Sequence, residues 1–352
     1  LNQQIADAVA MSEGPDRDLR ELAEAEIPAL RNERQALYDE LLDLTVGGDD
    51  AQRSRCVLEI RAGTGGDEAA LFARNLYEMY KHFADAQGCF DEAMALEPAG
   101  EHLFAGRTSP DYANFIGPYG GITAAQMLQA VMVHPERLGE PVAFTINYAA
   151  ALADGGFTAR ARPARTNRST QHWIVELLQD DQPVVTGTLM TAIRRETWGV
   201  QEVAMPQVPR PADLKMDRAR GVKWVERYER YYAEGGVPSD WNGQDFGHSR
   251  TRVWVRDRPA RPLDFPALTA IADNFFPRNW LRKATLTAIG TVTMTVYFHA
   301  DSGVLQSTGT GFLLGQAQGQ AFRDGYFDQA GQLWNEAGEL LVTTHQLVYY
   351  KE

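Results

Sequence analysis

The sequence predicts an α+β chain in which two antiparallel sheets each wrap one long helix, with an acidic helical segment in front of them. Three observations carry that prediction. Beyond Asp91, a helical stretch followed by a run of alternating stretches occurs twice. The chain changes character between Gln87 and Asp91. Charge is also divided there: residues 1–90 hold 9 Lys/Arg and 18 Asp/Glu, which accounts for −9 of the overall −13. The expected organisation is a coiled-coil-like helical segment over 1–50 and a strand-loop-helix fragment over 51–90. A first sheet-and-helix unit over 91–200, a linker and crossing segment over 201–250, and a second unit over 251–352 follow.

Composition bounds the function. A chain of 352 residues with 44% hydrophobic and 23% charged residues has room for two to three folded domains. It contains no run of about 18 apolar residues, so no membrane span is expected. The start, Leu1-Asn2-Gln3-Gln4, has neither the basic opening nor the apolar core of a signal peptide. Cys56 and Cys89 supply no disulfide framework and no metal cluster. These features predict a cytoplasmic protein with reduced thiols and no metal. The acidic balance repels phosphate backbones, so nucleic acid is not an expected partner.

From Asp16 to Leu44 the chain reads as a charged helix, with Leu30, Leu37, Leu41 and Leu44 at heptad-like spacing. Pro28 is expected to kink it or to separate two helices. After the turn at Gly47-Gly48, Cys56 to Ile60 alternates like a strand. The loop Gly63-Thr64-Gly65-Gly66 then opens a helix running to about Ala86, with Thr64 or Asp67 as its cap. That loop lacks the Lys-Ser/Thr of a phosphate cradle, and Asp67 and Glu68 stand where an anion would sit.

The first unit begins with Phe104 to Gly121. Gly117-Pro118-Tyr119-Gly120-Gly121 breaks the chain, and a helix is expected from about Ile122 to Val133, with Ile122, Ala125, Leu128 and Met132 on its core face. Strands are expected at Val142 to Ala151, Phe157 to Thr166, Gln171 to Gln179 and Val184 to Arg195, separated by Gly-, Ser- and Asp-rich turns. Pro206, Pro209 and Pro211 mark the crossing. The second unit repeats the plan. A strand at Arg252 to Arg258 precedes a helix from Asp264 to Phe276 that stops before Pro277. Strands follow at Ala284 to His299, Val304 to Thr308, Tyr326 to Trp334 and Leu340 to Tyr350.

Two resemblances follow from particular segments. Val57 to Gly88 resembles bacterial class-I peptide chain release factors, and the helix before it resembles the end of their coiled-coil domain. That family hydrolyses peptidyl-tRNA with a Gly-Gly-Gln loop. Here the Gly-Gly pairs are followed by Asp49, Asp67, Ile122, Phe157 and Val237, never by Gln. Peptide release is therefore not expected from this chain. Phe115 to Ala130, Arg252 to Pro277 and Gly338 to Lys351 resemble the acyl-CoA thioesterase II family, which has a double hotdog fold. That likeness runs from Asp91 to Glu352, so this portion reads as a whole enzyme with a release-factor fragment joined ahead of it.

The second resemblance implies hydrolysis of acyl-CoA thioesters by an activated water. The coenzyme A thioester is the substrate, and no separate cofactor is called for. Matching the family's motifs residue by residue puts the helical Asp at Asp273, the strand Thr at Thr291 and the last-strand Gln at Gln346. This sequence is one residue shorter between that Asp and Pro277. The chemistry suits these residue types. A desolvated carboxylate acts as general base, while a hydroxyl and an amide orient water without adding charge. Gly120, Gly121 and Ile122 open a helix after a glycine turn, so their N–H groups are candidate oxyanion donors.

Other residues carry weaker signals. His299 and His345 are expected to be structural rather than a hydratase-like pair. Arg160, Arg162, Arg165 and Arg168 fit either the phosphates of coenzyme A or a solvated sheet face. Lys215 to Arg230, interleaved with Trp224 and Tyr228, is a weak nucleic-acid signal. Two alternatives remain for the chain: a ribosome-associated protein without its catalytic loop, and a non-catalytic acyl-CoA-binding protein. Association of the sheets into a homo-oligomer is also open.

Overall fold

The computed structural model describes residues 27, 28, 30, 72–77, 89–218 and 221–351. The chain divides into two compact units, Leu1–Tyr77 and Glu78–Glu352. In the first, residues 27, 28, 30 and 72–77 are helical, the latter inside the helix expected up to Ala86. The predicted heptad leucines beyond Leu30, the strand at Cys56 to Ile60 and the glycine-rich loop lie outside the described residues.

The second unit is built on antiparallel sheet strands. Its first half contains β1 (Glu97–Gly100), β2 (Leu103–Arg107), α1 (Gly120–Met132), β3 (Glu140–Tyr148), β4 (Gly156–Thr166), β5 (Thr170–Gln179) and β6 (Gln182–Ala192). Its second half contains β7 (Tyr228–Glu234), β8 (Thr251–Asp257), α2 (Phe265–Ala272), α3 (Asn279–Arg282) and β9 (Ile289–Phe298). It continues with α4 (Ser302–Thr308), β10 (Leu313–Gln318), β11 (Phe322–Arg323), β12 (Tyr326–Trp334) and β13 (Leu340–Tyr350). The spatial order is β1-β2-β4-β5-β6-β3-β9-β13-β12-β10-β8-β7, with β11 attached to β12.

The two expected sheets are therefore one continuous sheet, joined at the pairing of β3 with β9. Thr145 and Thr295 face each other across this seam, with their hydroxyl oxygens 3.1 Å apart. Each half wraps one helix because alternate strand residues turn inward: Ala159, Ala161, Val175 and Leu177 in the first half, Met294, Val296 and Phe298 in the second. The two helices pack against each other inside the sheet. Hence α1 is buried on nearly every side, including Ala124 and Met127, which lie off its predicted core stripe, and all of α2 is buried.

Several boundaries differ from the sequence reading. Val304 to Thr308, expected as a strand from its β-branched residues, is the helix α4. Asp301 decides the matter, since its carboxylate accepts the Val304 N–H at 2.9 Å and caps the first turn. The segment assigned to a linker contains β7, whose Tyr228 and Arg230 point inward as a strand requires. Arg230 is buried and its charge is met by Asp217 at 2.6 Å. The helix expected from Asp264 to Phe276 ends at Ala272, with Asp273 as its C-cap. Strand β10 was not anticipated; its sequence, LLGQAQ, contains no β-branched residue. Cys89 and the short helix around it belong to this unit, with Phe90, Ala93 and Met94 in its core.

Candidate active site

The candidate site forms where the end of α2 meets the start of α1. Asp264 caps α2 by accepting the Ala267 N–H at 2.8 Å, and the apolar run behind it packs down to Ala272. Asp273 then leaves the helix with its side chain under the first turn of α1. The segment beyond it is held by the buried Arg278, which donates to Phe276 O, to Ser249 O at 3.2 Å and to Thr251 Oγ1 at 2.5 Å.

Gln346, buried on the inner face of β13, donates from Nε2 to Asp273 Oδ1 at 2.8 Å. The same nitrogen lies 3.4 Å from Met294 Sδ. Gly121 donates its backbone N–H to the Asp273 carboxylate. Burial pushes the Asp273 carboxyl from 3.8 up to about 7, and these two hydrogen bonds oppose the rise. The carboxylate thus sits at the positive end of α1, while the C-terminal end of α2, its own helix, disfavours charge.

The glycines at the start of α1 make this approach feasible. A Cβ on Gly121 would stand 2.6 Å from Ala270 O and 2.6 Å from the Tyr119 ring. A Cβ on Gly120 would stand 3.0 Å from Asp273 Oδ2 and 3.5 Å from Tyr148 Oη. The first intrahelical hydrogen bond of α1 is donated by Thr123, to Tyr119 O. The N–H groups of Gly120, Gly121 and Ile122 therefore have no acceptor within the helix, and that of Gly121 is turned to Asp273.

Thr291 reaches the same face by an irregularity in β9. Gln346 pairs with Met294 and Leu347 with Thr293, but Val348 pairs with Thr291, so Val292 is an extra residue. Without that bulge, alternation would send Thr291 outward. With it, Thr291 shares the inner face of Val348 and Gln346.

Two tyrosines that the sequence reading did not single out close the site. Tyr119 donates to Ala270 O at 2.7 Å and so fastens the end of α2. Tyr148, at the end of β3, donates to Gly120 O at 2.9 Å. Both phenols are driven well above their usual pKa, first by burial and then by the charge of Asp273. Behind Tyr119, Trp224 stacks with ring centroids 4.1 Å apart. The nearby Asn274 is buried, and neither of its amide atoms has a hydrogen-bond partner among the described residues.

The weaker candidates lie elsewhere. His299 contacts Thr343, and His345 contacts Asp328 on the exposed side of the sheet. Arg160, Arg162, Arg165 and Arg168 are exposed, and Arg160 is 3.0 Å from Glu176. In the basic stretch, Trp224 and Tyr228 are buried, which leaves neither ring free to stack on a base. His102, His134 and Glu136 bring three potential metal-ligand atoms within 4.8 Å. However, the Glu136 N–H occupies His134 Nδ1, so His134 Nε2 carries its proton to His102 Nδ1 at 2.8 Å. The cluster is a hydrogen-bonded pair whose facing ring nitrogens are taken, rather than an open ligand set.

Known proteins fit this picture in two blocks. Residues 109–192 match the family model "Acyl-CoA thioesterase N-terminal domain" and 201–350 match "Acyl-CoA thioesterase C-terminal domain". Residues 1–104 match the "PCRF domain", which overlaps the start of the sheet unit. A protein of unknown function with a hot dog fold from Alicyclobacillus acidocaldarius is 44% identical, with a TM-score of 0.71, and the match covers 75% of this chain and 98% of that one. An acyl-CoA thioesterase II from Mycobacterium marinum shares the fold at 16% identity and a TM-score of 0.59, over 74% of this chain and 98% of that one. Peptide chain release factor 1 of Maridesulfovibrio salexigens is 40% identical over 100 residues. This chain spans only 28% of that release factor's length.

Proposed function

Because the sheet-and-helix unit of this chain belongs to the acyl-CoA thioesterase family of the hot dog fold, we propose that the protein hydrolyses acyl-CoA thioesters to the free acid and coenzyme A. The observation that carries this reading is the enclosed Asp273, held by Gln346 and by the start of α1.

In this reading Asp273 takes a proton from a water that Gln346 and Thr291 orient. The resulting hydroxide forms a bond to the thioester carbonyl carbon. The carbonyl oxygen, now carrying the charge, is met by N–H groups at the start of α1. Since Gly121 is engaged with Asp273, Gly120 and Ile122 are the donors assigned to that oxygen. Collapse of the adduct breaks the C–S bond, and protonated Asp273 returns its proton to the departing thiolate. A carboxyl titrating at about 7 suits both proton transfers near neutral pH. No metal or separate cofactor is required.

The direct test incubates the full chain with short, medium and long acyl-CoA esters and follows free thiol. Turnover is expected, and it should be lost in a folded Asp273→Asn variant. Binding without turnover would favour the acyl-CoA-binding reading instead. The PCRF match over residues 1–104 favours a second role, association with the ribosome, which co-sedimentation of the chain with ribosomes would test. A cytoplasmic location fits both roles. Among the described residues no helix is long and apolar enough to cross a membrane.

A further inference from the structure

We propose that Tyr148 is a positioning residue for Asp273, acting through the peptide group that joins Gly120 to Gly121. The inference rests on the reading of Asp273 as the base.

The geometry is a chain of hydrogen bonds. Tyr148 Oη donates to Gly120 O at 2.9 Å. That carbonyl belongs to the same peptide unit as the Gly121 N–H, which donates to the Asp273 carboxylate. A trans peptide is planar, with its C=O and N–H pointing in opposite directions. A hydrogen bond at one end therefore sets the direction of the other. It also polarises the amide, which strengthens the second bond. The peptide lies between two glycines, the residues least able to hold a backbone orientation by themselves. It is also the outermost peptide of α1. Gly120 O takes the Ala124 N–H within the helix, and Tyr148 adds a second hold from outside it, on β3.

Glycine at position 120 keeps the line open. Its missing side chain leaves Asp273 Oδ2 and Tyr148 Oη on either side of the same small space, at 3.0 and 3.5 Å from where a Cβ would stand. Tyr148 donates its single proton to a carbonyl, so it is not an oxyanion donor. Its influence on the reaction passes through Gly121. The groups facing Asp273 are Tyr119 from the cap of α1, Tyr148 from β3, Tyr228 from β7 and Gln346 from β13. Of these, only Tyr148 bonds the Gly120–Gly121 peptide.

The test reads the titration of Asp273 in the full chain by two routes. One is the pH dependence of the difference in unfolding temperature between a protein and its Asp273→Asn counterpart. The other is the acid limb of kcat/KM for thiol release. In Tyr148→Phe, which keeps the ring and loses the hydroxyl, both midpoints are expected to move up by about one pH unit. Fluorotyrosine at position 148, a stronger donor of the same shape, is expected to move them down. Midpoints that stay in place in both variants overturn the proposal, and the fluorotyrosine protein decides alone if Tyr148→Phe does not fold. A wild-type chain that releases no thiol would sink the hydrolase reading, yet the stability route would still decide the role of Tyr148.

Discussion

Replacing Asp273 by Asn is expected to make the protein more stable at high pH relative to low pH. The Asp273 carboxyl titrates at about 7 when folded, against 3.8 for an unconstrained carboxyl. Below the lower value both states are protonated and the group has no effect on folding. As pH rises toward 7 the unfolded chain releases its proton first, so folded stability is lost. A gap of about 3 pH units at roughly 1.4 kcal/mol each sets a ceiling of about 4 kcal/mol. Partial exposure of the residue lowers the true figure. Of that ceiling, about 3 kcal/mol falls between pH 5 and 8.5. Asn carries no such penalty. Any fixed cost of the substitution, such as a poorer acceptor for Gly121, is the same at both pH values and cancels. Asp257, a second buried carboxyl raised to about 7, is present in both proteins and cancels too. Urea unfolding of the two proteins at pH 5 and 8.5 measures the difference directly. A difference independent of pH would refute the claim that Asp273 is held in a charge-averse environment.

Further outcomes follow from the same contacts. The acid limb of kcat/KM for thiol release is expected at about pH 7, with activity rising as Asp273 ionises. Gln346→Ala removes the 2.8 Å bond to Asp273 and should lower kcat/KM by roughly 10- to 100-fold, measured by thiol release, since a hydrogen bond to a charged group is worth about 1.5–3 kcal/mol. Gly121→Ala drives a Cβ to 2.6 Å from Ala270 O and should destabilise the protein by about 1–3 kcal/mol in thermal unfolding. Asp301→Ala removes the cap of α4 and should cost about 1 kcal/mol in the same assay with thiol release unchanged.

Much of the layout is legible in the sequence because inward and outward residues alternate wherever one sheet face is buried. That pattern places β4, β5, β12 and β13 within a residue or two of their observed limits. It misleads where a local contact overrides it. Val304 and Thr308 suit a strand by propensity, but Asp301 caps a helix there. Tyr228 to Glu234 falls in the stretch read as a linker after the prolines of the crossing, and only the fold reveals that Arg230 turns inward to meet Asp217. Among the site residues, Gln346 stands out as an amide in an apolar strand, and Asp273 as a carboxylate among apolar neighbours. Only likeness to a family points to Thr291, for no run of residues announces that Val292 is a bulge. Tyr148 left no trace at all. Its partner is a backbone carbonyl 28 positions earlier, and main-chain acceptors are invisible in a string of side chains.

The doubled architecture raises the question of how many substrates one molecule can process. The counterpart of the α1 start is the start of α2, and that end is stoppered. Asp264 already fills it with a carboxylate that takes the Ala267 N–H, and Pro266 contributes no N–H at all. An oxyanion would find there a negative charge and a missing donor. In the proposed mechanism the two similar halves thus have unequal duties, one offering its helix start and the other its carboxylate. An active-site count should accordingly give one turnover centre per polypeptide.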